Sequence, residues 1–189
     1  MSRLTRDDIV VGAGRRFATY GYHGTSMRDL GEDLGILGSS IYSHIGGKQE
    51  LLVAVVERGA AFFEEAASTV LAIEAPPEEQ MRGLIAGHIG VLLDQRPEAR
   101  TYLTQVDCLD KDEAERINKM RDEYEGAFYS TIVAGIDEGV FREDCDPRLA
   151  AIYVLSILNA LERWYDEQGR LSRSEIVEDM YRFVIGALT

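Results

Sequence analysis

Between Thr25 and Lys48 the chain gathers hydroxyls, a phenol, an imidazole and two cations at helical spacing. Ser39, Ser40, Tyr42, Ser43 and His44 fall on the outward side of a short segment whose inward side is Ile41 and Ile45. Burying two isoleucines gives little reason for such an outer face. A DNA duplex gives one, because hydroxyls hydrogen-bond to base edges and phosphates while aromatic, imidazole and ammonium groups contact the backbone. The segment reads as a helix entering the major groove, with Ser39 and Ser40 at the bases or phosphates and Tyr42 and His44 at the backbone. Thr25 and Ser26 open the preceding helix, whose N-terminal N–H groups suit a phosphate. Arg28, one turn on, is placed to reach a guanine, and Lys48 to clamp a phosphate. Each residue alone has an ordinary explanation, Ser26 as a cap, Tyr42 as packing and Lys48 as a solvated charge. Together they argue for a DNA-binding site.

The elements that must hold these residues are helices. Gly24 to Ile45 has the layout of a helix, a glycine-bounded turn and a second short helix, which is a helix-turn-helix. Met27, Leu30 and Leu34 recur on an inward stripe, and Gly31 among them allows the next helix to approach closely. Elsewhere, Thr5 with Asp8, Ser26 with Asp29, Asp110 with Glu113 and Ser172 with Glu175 have the spacing of capping boxes. Pro77, Pro97 and Pro147 sit where helices can begin, and Gly21 and Gly35 where two can end. These marks predict an all-α chain of about nine helices, at 6–20, 26–34, 39–45, 48–72, 77–95, 97–108, 111–138, 147–167 and 172–188. A composition shift near residue 48 divides it into a helix-turn-helix domain, 1–48, and a larger domain, 49–189.

Composition sets the limits. Apolar residues make up 46% and charged residues 28% of the chain, the balance of a folded globular protein. Its net charge of −13 is unevenly spread. Residues 1–48 hold six basic side chains (Arg3, Arg6, Arg15, Arg16, Arg28, Lys48) against five acidic, and the rest 14 against 28. Contact with a polyanion therefore belongs to the N-terminal end. Asp7 and Asp8 stand where a signal peptide needs apolar residues, and no run reaches the ~20 apolar residues of a membrane span. A cytoplasmic location without membrane attachment is expected. Cys108 and Cys145 lack metal or redox spacing and read as free thiols. His23, His44 and His88 are isolated and belong to no metal or hydrolase motif. The chain is read as no enzyme, with no metal and no cofactor.

The residues from Gly21-Tyr22 through Thr25-Ser26, Leu30-Gly31, Gly35-Ile36 and Ile41-Tyr42-Ser43-His44-Ile45-Gly46-Gly47-Lys48-Gln49-Glu50-Leu51-Leu52 resemble the DNA-binding domain of the TetR family of repressors over about residues 5–52. The resemblance implies phosphate contacts from Thr25, Tyr42, His44 and Lys48 and base contacts from Ser39 and Ser40. It also implies repression by a dimer. This chain departs from the family pattern at Leu37, where serine is usual, and at Gly31, Ile45 and Gly47. Leu37 removes the usual cap of the reading helix, a role left to Gly38 or Ser39.

In the larger part, residues 149–161 carry no charge on any face, and a helix of this kind must be covered all round. A two-fold dimer seam through Ile152, Tyr153, Ser156 and Ala160, with Ile176, Met180, Phe183 and Val184 of the last helix, would cover it and space two reading helices on palindromic operator DNA. Phe62, His88, Tyr102, Gln105 and Tyr124, with Phe128, Asn159, Arg163 and Trp164, are inward polar or aromatic groups suited to a small-molecule effector. Gly139-Val140-Phe141-Arg142, Arg163-Trp164-Tyr165 and Gly169-Arg170-Leu171-Ser172 resemble the TetR subgroup that answers acyl-coenzyme A thioesters of fatty-acid or steroid catabolism. Arg163 would then meet an anionic part of the ligand, unless it only pairs with Glu167. The alternative is a regulator with no small-molecule effector, controlled by a protein partner.

Overall fold

The computed structural model describes residues 4–166 and 168–189, and every regular element among them is helical. In order these are α1 (Arg6–Tyr20), α2 (Met27–Leu34), α3 (Gly38–Ile41), α4 (Lys48–Leu71), α5 (Pro77–Asp94), α6 (Arg96–Thr104), α7 (Lys111–Asp137), α8 (Pro147–Trp164) and α9 (Arg173–Leu188), with a 3-10 turn at Val106–Cys108. Among the described residues no helix is long and apolar enough to cross a membrane. The all-α expectation holds, and the ends fall where local chemistry places them. Thr5, Ser26 and Ser172 each accept a backbone N–H while an acid three residues on accepts theirs in return. Gly21 and Gly35 take positive φ at the ends of α1 and α2, Gly35 in the left-handed region. Pro77 and Pro147 open α5 and α8, and Pro97 is second in α6.

Three boundaries differ from expectation. The reading helix ends at Ile41 rather than residue 45. Leu37 at its N-cap contributes no side-chain hydrogen bond, and the chain beyond tightens into i→i+3 bonds, His44 N–H donating to the Ile41 carbonyl at 2.9 Å. The sixth helix breaks after Thr104 into the 3-10 turn, and α8 stops at Trp164, with Tyr165 in extended backbone. Arg3 and Glu167 lie outside the described residues.

By contacts the chain forms two compact units, Met1–Phe62 with Gln95–Lys119, and Phe63–Asp94 with Met120–Thr189. This division follows contacts and does not fall at residue 48, since the first part of α4 and all of α6 pack with α1 and its neighbours. In the first unit Ile9, Ala13, Phe17, Leu30, Ile41, Leu51, Leu52 and Val55 are almost completely buried, each large apolar side chain contributing about 1.5–3 kcal/mol. α1 packs on α6 and α2 on α3. Arg16 of α1 binds Asp33 at 2.7 Å and Asp29 at 3.4 Å on α2. Arg58 of α4 binds Asp7 at 2.6 Å and faces the buried carboxyl of Glu98 at 3.6 Å.

In the second unit α5 packs on α8 and α9. Its core is Phe63, Met81, Leu84, Ile85, Ile89, Phe128, Ile132, Ala151, Leu158, Ile176 and Val184. Arg173 of α9 holds Asp94 of α5 through two parallel bonds of 2.8 and 2.7 Å. Arg82 pairs with Glu178 and lies over the Tyr181 ring at 3.8 Å.

The tightest joint lies within the helix-turn-helix. A β-carbon on Gly31 would sit 2.6 Å from the Gly38 nitrogen and 2.9 Å from the Ile36 oxygen, and one on Gly38 would meet the Met27 oxygen at 2.9 Å. Two bare backbones touch there, as the spacing of Gly31 implies. Gly31→Val is expected to cost about 2–3 kcal/mol through overpacking, read by denaturant unfolding. An unchanged midpoint would show that α3 can shift freely.

Candidate functional site

α2 and α3 present most of the predicted reading face. Ser39, Ser40, Tyr42 and Ser43 are exposed, Tyr42 to 55%. Ile41 and Ile45 beneath them are buried, so the short helix is held by two anchors. The Ser43 hydroxyl donates to the Ser40 carbonyl at 2.7 Å, which fixes the end of the turn. His44 is half-buried. At the start of α2, Ser26 is exposed and caps the helix. Arg28 projects into solvent and pairs with Glu32 at 3.1 Å, a bond weak enough at an exposed site to be exchanged for another acceptor.

Two of the predicted contacts sit differently. Thr25 is buried, its hydroxyl donates to the Gly21 carbonyl at 3.0 Å and its N–H to the Tyr22 carbonyl at 3.2 Å. Both donors are spent, so in this conformation Thr25 shapes the turn and has no donor to offer a phosphate. Lys48 is half-buried with its ammonium 4.1 Å from the Tyr22 ring centre, and burial pushes its pKa down. A cation over an aromatic face is held there, so Lys48 is a preset charge rather than a free arm.

Sequence reasoning missed what holds Tyr22. Its N–H donates to Gln105 Oε1 at 2.9 Å, its hydroxyl donates to Gln49 Oε1 at 2.8 Å, and Gln49 Nε2 donates to the Cys108 carbonyl at 3.2 Å. The turn after α1 is thus tied to α4 and to the 3-10 turn at Val106–Cys108. At the start of α4, Glu50 accepts the Gly46 N–H at 2.7 Å.

The predicted effector residues divide. His88, Tyr124, Phe128 and Asn159 come together in the second unit. His88 is 2% exposed, its Nδ1 is 3.0 Å from the Tyr124 hydroxyl, and its ring lies 4.8 Å from that of Phe63. Tyr124 also stacks edge-on against Phe128 at 5.7 Å. The aromatic partner is therefore Phe63, and Phe62 is half-buried under the Arg58 guanidinium at 5.4 Å. Phe63 recurs with Val56, Ala60 and Ala67 on one face of α4, a spacing that could have singled it out. Phe62, Tyr102 and Gln105 belong to the first unit, where Tyr102 is core and Gln105 is engaged with Tyr22. Arg163 and Trp164 are exposed at the end of α8. Trp164, Asp166, Gly169, Arg170 and Leu171 line an open hollow of about 210 Å³. The pairing of Arg163 with Glu167 lies outside the described residues.

The predicted seam divides as well. Ile176, Met180 and Val184 are covered by the chain's own core and are not available to a partner, whereas Ile152, Tyr153 and Ser156 are exposed, Ala160 is half-buried, and Tyr153 and Phe183 are each 61% exposed. Leu149, Tyr153, Ile157, Phe183 and Ala187 line an open apolar groove of about 280 Å³ along α8 and α9.

Fold and site define a helix-turn-helix protein whose short second helix displays hydroxyls and a phenol. Residues 9–55 match the model for bacterial regulatory proteins of the tetR family, and residues 74–188 match the tetracyclin repressor-like C-terminal domain. The chain belongs to the TetR family of transcription regulators. It is similar to the HTH-type transcriptional repressor KstR2 of Mycolicibacterium smegmatis, at 23% identity over 97% of this chain and 90% of the relative. Among solved structures it is similar to the TetR regulator PfmR of Thermus thermophilus, at 27% identity and a TM-score of 0.86 over 94% and 97% of the two chains. It is also similar to AibR in complex with isovaleryl coenzyme A and operator DNA, at 26% identity and a TM-score of 0.84 over 97% of each chain.

Burial pushes the His88 pKa down from 6.5 to about 3, with Asn159 acting in the opposite direction. As pH falls below about 6.5 the unfolded ring takes up a proton that the folded ring refuses until about 3. Stability is thus lost on acidification across that window, by up to about 1.4 kcal/mol per pH unit. His88→Phe should flatten the stability profile between pH 6.5 and about 4.5 by that amount, measured by urea unfolding. Equal slopes for the two proteins would mean that the ring is solvated.

Proposed function

We propose that this protein is a cytoplasmic repressor that binds palindromic operator DNA as a homodimer and is released by an acyl-coenzyme A thioester or a related lipid metabolite. It is a binding protein and no enzyme. The observation that carries the DNA reading is the exposed row Ser39, Ser40, Tyr42 and Ser43 over two buried isoleucines, flanked by Ser26 and Arg28 on α2. In this reading residues 1–48 grip DNA, with Ser39 and Ser40 at base edges, Arg28 at a guanine, and Ser26, Tyr42, Ser43, His44 and Lys48 at the sugar-phosphate backbone.

Dimerisation rests on the apolar row of Leu149, Ile152, Tyr153 and Phe183, since a soluble chain seldom leaves such a contiguous surface uncovered. Two weak half-site contacts then add on one duplex. The effector reading is supported by AibR, whose structure holds isovaleryl coenzyme A and operator DNA, and by the hollow that Trp164 and Arg170 help to line, an aromatic and a cationic group that suit the charged, adenine-bearing end of coenzyme A. Residues 49–189 would sense and dimerise. α4 and α7 are each continuous between the two units, so a change in the second reaches the reading helix through them. A hundredfold loss of operator occupancy needs a differential affinity of only about 2.7 kcal/mol.

Tyr42→Ala should weaken operator binding about tenfold and leave the dimer and effector binding intact, measured by anisotropy on a selected duplex and by sedimentation. Lys48→Ala should also lower the salt slope by about one ion. Operator affinity unchanged in both variants would remove α3 from the interface. Phe183→Glu with Tyr153→Glu should give a folded monomer with little operator affinity, and a persistent dimer would place the seam elsewhere.

A further inference from the structure

Leu37 is 75% exposed, more than any other large apolar side chain among the described residues. A single exposed leucine is common on a protein surface, but this one occupies the N-cap of the four-residue α3. Serine, threonine, aspartate or asparagine there would accept a free backbone N–H and steady the turn. Leu37 makes no side-chain hydrogen bond and buries little of itself. In the free protein its side chain serves neither the cap nor the core.

Its position relative to the reading residues is set by the backbone. Leu37 is extended, at φ −70° and ψ 136°, and its carbonyl accepts the Ser40 N–H at 2.8 Å. A side chain at such an N-cap lies over the N–H groups of the second and third helical residues, which here are Ser39 and Ser40. The start of α2 is close by, since a β-carbon on Gly38 would sit 3.0 Å from the Arg28 α-carbon. Leu37 is thus an apolar point on the otherwise polar surface of Arg28, Ser39 and Ser40.

A reading helix directs its N-terminal residues at base edges. A leucine gains nothing from a phosphate, and covering a base donor or acceptor without a bond is costly. The major groove holds one apolar group that discriminates between bases, the C5-methyl of thymine. We infer that Leu37 reads a thymine at one fixed position of each half-site by packing on that methyl group. This rests on the DNA-binding reading above and names a base that it selects. The hydroxyls of Ser39 and Ser40 can bond to more than one base, so they do not supply that selectivity.

The test starts from the half-site selected out of random duplex DNA by the full-length protein. Each of its thymines is replaced in turn by deoxyuridine, which lacks only the methyl, and binding is followed by anisotropy for the wild type, Leu37→Ala and Leu37→Ser. At one thymine the replacement should weaken wild-type binding about fourfold per half-site, the worth of one buried methyl. Both variants should bind the thymine duplex more weakly than the wild type does and should not distinguish thymine from uracil at that position. Leu37→Ser should unfold at no lower denaturant concentration than the wild type, because it gains a cap. A half-site whose thymines, if any, all tolerate uracil would overturn the inference and leave the DNA reading standing. So would variants that keep the wild-type discrimination, or that unfold more easily and weaken on every duplex alike. Failure to retain any duplex would overturn both.

Discussion

Four residues make little more than one helical turn, too short to hold themselves in water, so Gly38–Ile41 depends on how closely α2 receives it. That approach is backbone to backbone at Gly31 and Gly38, and no side-chain cap assists it at Leu37. Ile41 and Ile45 then fasten the far side. The arrangement fixes which side of the turn faces outward, so Ser39, Ser40 and Tyr42 stand free because the glycines are bare. A reading helix without arginine or lysine draws little from charge. In the proposed DNA complex, affinity would therefore lean on Arg28, the α2 N-terminus and a second copy of the chain.

The same unit shows how this module is held in place. Tyr22, at the turn after α1, is bonded through its backbone to Gln105 and through its hydroxyl to Gln49, and it carries the Lys48 ammonium on its ring. One aromatic residue thus joins α1, α4 and the end of α6. Movement of the 3-10 turn at Val106–Cys108 would pull on Gln49 and Gln105 together, and through them on Tyr22.

Much of this was legible because the deciding chemistry is local. Thr5, Ser26 and Ser172 form capping boxes with acids three residues away, and Pro77 and Pro147 open helices. What escaped depends on distant partners. Thr25 sits where a phosphate contact is expected, but its hydroxyl found Gly21. Ile176, Met180 and Val184 share an apolar helix with Phe183, and only the packing of α5 against α9 decides that the first three turn inward and Phe183 outward. Phe62 and Phe63 are indistinguishable by type, and the turn of α4 assigns one to a guanidinium and the other to the His88 cluster. The spacing of Tyr22, Gln49, Gln105 and Cys108 carries no signal, since they meet only after folding.

The central claim is that a short helix held at backbone distance reads DNA in pairs. Selection of bound fragments from random duplex DNA by the full-length protein, followed by sequencing, tests it directly. The account predicts an enriched inverted repeat with half-sites one or more helical turns apart, about 34 Å or a multiple. Failure to enrich any sequence, or enrichment of a single unrepeated site, would contradict it.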